Sequence, residues 1–142
     1  MKALYCNRCR ARLTRQLDIV SGKDPAVTLP ELKDREPPVE SGVAFKSWKP
    51  LVRSFSSEPA PLEFTPQYWL NPDDLTGLVS PLHSRMNGCC GPSGHDGPNQ
   101  LCRCKAEIGT YQNDCFTPRI FIPNPETTTW VGGADDFWNH PQ

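Results

Sequence analysis

This chain has little from which to build a large core. Leu, Ile, Val and Phe together make up 29 of its 142 residues, near the fraction at which apolar burial alone stops sustaining a fold. No run approaches the roughly 20 consecutive apolar residues of a membrane-spanning helix. The opening Met1-Lys2-Ala3-Leu4-Tyr5-Cys6 also lacks the apolar stretch of a secretory leader. These absences lead to the expectation of a soluble, cytoplasmic protein. An excess of one charge is missing too: 15 basic against 16 acidic residues give a net charge of −1 and a pI near 6.3, so the chain does not repel itself into disorder. The motifs of two hydrolytic zinc sites, His-Glu-x-x-His and His-x-Glu with Pro-Cys-x-x-Cys, do not occur.

What is abundant excludes long helices as well. Sixteen prolines and ten glycines interrupt backbone hydrogen bonding and favour short strands and ordered coil. The expected fold class is therefore small and β-rich, β or α+β with one or two short helical turns, held by an external staple.

The staple is visible in the seven cysteines. They fall as Cys6-x-x-Cys9 near one end and as Cys89-Cys90, Cys102-x-Cys104 and Cys115 near the other. An odd count argues against a complete disulfide framework, and in a reducing compartment clustered thiols read first as metal ligands. Two sulfurs separated by two residues face one zinc ion across a knuckle turn. Cys102-x-Cys104 is one residue short of that spacing, but a tight loop still delivers both thiolates. One structural zinc is thus expected on Cys6, Cys9, Cys102 and Cys104. A second ion would draw on Cys89, Cys90, Cys115 and His95, although adjacent cysteines face one metal with difficulty. Four sulfurs close a zinc site and leave it without catalytic capacity, so no enzymatic activity and no small-molecule substrate are expected.

Along the chain, residues 1–20 read as a hairpin whose turn carries the first knuckle. Residues 21–67 read as a proline-rich excursion in which Val43-Ala44-Phe45 and Leu51-Val52 have strand character. Residues 68–125 form a Cys/Gly-rich lobe, and the three segments make a single metal-stapled domain over 1–125, with 126–142 a peripheral acidic-aromatic tail. Asn71-Pro72-Asp73-Asp74 is a helix start with cap, proline and first-turn acids in place, stopped early by Gly77. Leu101 to Thr110 and Arg119 to Ile122 read as strands.

Three functional readings compete. Trp130, Phe137 and Trp138 are aromatic anchors of the kind that dock on a protein partner, which makes an interaction or accessory module the leading expectation. Arg8, Arg10, Arg12 and Arg15 put positive charge on the first hairpin and suit nucleic-acid phosphates, though alternating arginine is usually the solvated face of a strand. Thiol-redox chemistry is the third, since CxxC, CC and CxC spacings all permit reversible disulfides; the CxxC, however, lacks the strand-to-helix setting of a thioredoxin-type site.

The stretch from Trp69-Leu70-Asn71-Pro72 through Asn87-Gly88-Cys89-Cys90-Gly91, Gly97-Pro98-Asn99, Cys102-x-Cys104 and Asp114-Cys115 resembles small cysteine-rich, zinc-ribbon-like bacterial proteins of unassigned function. With the N-terminal CxxC, the resemblance covers both ends of the chain and not its middle. It implies a zinc-binding module and brings no activity with it.

Overall fold

The computed structural model describes residues 1–51 and 62–132. These residues are β-rich, with no element longer than six residues and two single 3-10 turns, at Pro72–Asp74 and His83–Arg85. The first turn starts as its residues dictate. Asn71 caps it by accepting the Asp73 N–H at 3.0 Å, and Pro72 takes the first position.

A seven-stranded sheet carries the fold. Its order is β2 (Asp18–Ser21), β3 (Val43–Ser47), β4 (Gln67–Leu70), β8 (Ile120–Pro123), β7 (Glu107–Gln112), β6 (Gln100–Leu101) and β5 (Ser80–Pro81). All neighbours are antiparallel except β2 and β3, which run parallel. A parallel pair needs a crossover, and residues 22–42 supply it.

The central strands are buried on both faces, which explains why Ile120-Phe121-Ile122 is uninterrupted rather than alternating. On one face Ala44, Leu70 and Phe121 pack with Leu4, Leu13 and Leu17 from the N-terminal segment and with Cys102, Ala106 and Ile108. On the other, Phe45, Trp69, Ile120 and Ile122 pack under Val27, Leu32, Val39, Leu62 and Phe64. The segment read as an excursion therefore contributes β3 to the sheet and covers its second face. Leu51 is buried there without strand pairing, its N–H held by the Gln67 carboxamide at 3.0 Å; Val52 lies outside the described residues.

The N-terminal segment is half a hairpin. β1 (Lys2–Cys6) meets the returning chain at the Lys2–Leu17 and Tyr5–Arg12 bridges. Its full-length partner is β9 (Thr128–Gly132), antiparallel and in register from Lys2–Gly132 to Cys6–Thr128. Residues 128–132, read as the start of a peripheral tail, instead form the strand that pairs with β1. A tertiary partner 126 residues away in sequence leaves no local signal in a run as short as Thr-Thr-Trp-Val-Gly.

Candidate metal centre

Two knuckles meet at the junction of the β1–β9 ribbon and the large sheet. In the first, Cys6 N–H donates to Ala11 O at 2.9 Å and Arg10 N–H returns to Cys6 O at 2.9 Å. In the second, Cys102 N–H donates to Ala106 O at 2.9 Å and Lys105 N–H returns to Cys102 O at 2.8 Å. Each loop passes through one residue in the left-handed region, Arg10 at φ 64° and Lys105 at φ 74°. The second knuckle is thus the first with one residue removed, and the CxC spacing follows from that shorter loop.

The four sulfurs pair crosswise. Cys6 Sγ lies 3.6 Å from Cys104 Sγ and Cys9 Sγ lies 3.4 Å from Cys102 Sγ. All four are within 4.8 Å of one another, a set that could hold a metal ion. A zinc–sulfur distance of about 2.3 Å in a tetrahedron sets sulfur–sulfur edges of about 3.8 Å, so the donor set fits a tetrahedral thiolate ion in number and spacing. In each knuckle the first cysteine is fully buried and the second half-buried.

Burial sets the thiol chemistry. It raises Cys6 above its ordinary value, and it pushes Cys102 up to about 12 despite an N–H donated to its sulfur from Cys104. Burial works the same way on Cys9, but the Ala11 N–H and the sulfurs of Cys102, Cys104 and Cys6 outweigh it and bring that thiol down to about 7. One member of the set is therefore ready to ionise at neutral pH while two resist. Glu107, the acid nearest the second knuckle in sequence, is ion-paired with Arg85.

The remaining thiols gather elsewhere. Cys90 and Cys115 are joined in a disulfide, and Cys89 lies with them, the three sulfurs within 4.8 Å. Adjacency does not keep Cys89 and Cys90 apart as the sequence suggests, because the loop turns sharply between two glycines. A Cβ on Gly91 would come within 2.3 Å of Asn113 O, and one on Gly88 within 2.8 Å of Asp114 Oδ2. His95 is not part of the group. Its backbone N–H is turned to Ser93 Oγ at 3.3 Å.

Arg8, Arg10, Arg12 and Arg15 are all exposed, and so are Arg103 and Lys105 on the second knuckle. Sequence order hid that addition, since the two loops are about a hundred residues apart and their sulfurs meet only in the fold. Trp130 lies in β9 against Tyr68, ring centroids 5.2 Å apart. It also lines a cleft of about 380 Å³ with Tyr5, Asn7, Arg10 and Thr129 beside the first knuckle. Phe137 and Trp138 lie outside the described residues. No described helix is long and apolar enough to cross a membrane. Comparisons with protein families, characterised proteins and solved structures give no match for this chain.

Proposed function

We propose that this chain is a non-enzymatic zinc-binding interaction module of the zinc-ribbon type, in which one ion clasps the two knuckles and fixes the surface around them. The observation that carries the reading is the crosswise meeting of Cys6 with Cys104 and Cys9 with Cys102. Four sulfurs favour zinc over harder cations, and a fully sulfur-ligated ion has no open position for substrate. What remains useful is the fixed surface. The cleft bearing Tyr5, Arg10 and Trp130 joins two aromatic rings to a cation, the composition from which interface anchors are drawn. Such a cleft suits an acidic or aromatic segment of a protein partner.

Native mass spectrometry of the purified protein tests the clasp. One zinc is expected, lost in Cys9→Ser and in Cys102→Ser; a protein without metal overturns the reading. Crosslinking from the cleft before and after Trp130→Ala tests the surface, with capture of a protein partner expected to disappear in the variant.

A second reading, nucleic-acid binding, gains from the joining of Arg8 and Arg10 to Arg103 and Lys105 on adjacent knuckles. It predicts oligonucleotide affinity that falls steeply with salt and collapses in the combined Arg8→Ala, Arg10→Ala, Arg12→Ala variant. Against it, the same cations serve to offset the charge of four thiolates.

A further inference from the structure

We propose that Cys89, Cys90 and Cys115 form a second metal site that is gated by redox state: closed while Cys90 and Cys115 are joined, and open to a thiophilic cation once that bond is reduced. The three sulfurs already lie within 4.8 Å of one another. Their closeness does not depend on the covalent link alone. The Asp114 carboxylate accepts the N–H groups of both Cys90 and Cys115 through Oδ1, each at 2.8 Å. Asn113 N–H donates to Pro92 O at 2.9 Å, and Asp114 N–H to Thr117 Oγ1 at 2.8 Å. Gly88 and Gly91 let the loop press against Asp114 and Asn113 where any side chain would collide. Cleaving the disulfide therefore releases two sulfurs without releasing the loop that presents them.

Access favours the switch. Cys89 and Cys90 are exposed and Cys115 half-buried, and exposed disulfides are the ones that exchange with external thiols. The step takes two electrons from a dithiol. Its thiolate attacks Cys90 Sγ, the Cys90–Cys115 bond breaks, and Cys115 leaves as a thiolate that takes up a proton. The second thiolate of the dithiol then closes on the first as a disulfide and expels Cys90. Cys89, Cys90 and Cys115 next lose their protons to an incoming cation. Three sulfurs suit a d10 ion, cuprous in a trigonal site or zinc with a water as fourth ligand. Unlike the four-sulfur clasp, this site keeps a position facing solvent.

The full-length protein is tested by native mass spectrometry with zinc as the probe, added after anaerobic treatment with dithiothreitol and desalting, and in parallel to untreated protein. The reduced form is expected to hold one zinc more than the disulfide form. Reduced Cys89→Ser, in which an exposed thiol is replaced and the disulfide can still form, is expected to lose that extra ion alone. Equal zinc content in both redox states overturns the proposal, as does retention of the extra ion by Cys89→Ser. The clasp is read separately: Cys9→Ser is expected to lose the other ion and to keep the reduction-dependent one, so either site fails without the other.

Discussion

Gly109 and Phe121 occupy one another's space across the β7–β8 pair. A Cβ built on Gly109 would stand 2.3 Å from Phe121 Cζ and 2.6 Å from Cε1, with Ile122 O at 2.7 Å. The ring is fully buried in the larger cluster. Gly109→Ala is expected to destabilise the protein by about 1–3 kcal/mol through overpacking, seen as a lower urea midpoint. An unchanged midpoint would mean that Phe121 has another rotamer available.

Loss of the clasp should be felt unevenly. On the proposed clasp, Cys102→Ser would cost the ribbon of β1 and β9 its tie through the ion, while β4, β8 and β7 keep their own ladder. Hydrogen exchange is expected to accelerate at Leu4 and Trp130 and much less at Ile122. At free zinc a thousandfold above the dissociation constant, the ion contributes about 4 kcal/mol to the folded state, so chelation should lower the thermal midpoint markedly. Uniform acceleration across both sheets would show that the ribbon and sheet unfold together.

Zinc uptake should release protons. At pH 7 without a bound ion, burial keeps Cys6 and Cys102 protonated, and Cys9, brought down to about 7, is near half ionised. Binding must strip the first two thiols completely. Protons are bound in the unloaded state, so raising the pH favours loading and acid favours loss. Calorimetry in buffers of different protonation enthalpy is expected to give at least two protons released per zinc at pH 7, and fewer than two would refute this distribution of charge.

Asp74 is a buried acid, 2 % exposed. Its carboxylate accepts Gly42 N–H at 2.9 Å and the Ser41 hydroxyl, tying the end of the crossover to the 3-10 turn. Asp74→Ala removes both hydrogen bonds and is expected to cost about 1–2 kcal/mol. Asp74→Asn retains an acceptor oxygen and should cost less. Denaturant titration of the two variants checks the order; equal costs would show that the charge rather than the hydrogen bonds mattered.

Legibility in the sequence follows the range of the interactions. Asn71-Pro72-Asp73-Asp74 makes its turn from contacts within four residues, so composition is enough to place it. Ile120–Pro123 stands out because a strand buried on both faces needs an unbroken apolar run, and Val43-Ala44-Phe45 marks the start of β3 in the same way. The grouping of Cys6 and Cys9 with Cys102 and Cys104 is legible for a different reason: ligand chemistry demands four donors, and only certain spacings deliver two from one loop. Thr128–Gly132 is illegible because its partner is Lys2–Cys6. The Cys90–Cys115 link is hidden in the same way, since it depends on Asp114 and two tight glycines bringing distant loops together. The parallel pairing of β2 with β3 also has no local marker, because the crossover between them is coil and not helix.

The clasp has a consequence for how the protein is made. Cys6 and Cys104 are 98 residues apart in sequence, Cys9 and Cys102 are 93. At roughly 5–20 residues per second of synthesis, the first knuckle waits about 5–20 s before its counterpart leaves the ribosome. For that interval the CxxC stands half-complete, open to oxidation or to capture by another soft ion. On the proposed clasp, the order of the chain would make the thiol chemistry of the surroundings during translation, as much as zinc supply afterwards, a determinant of how much protein reaches the clasped state.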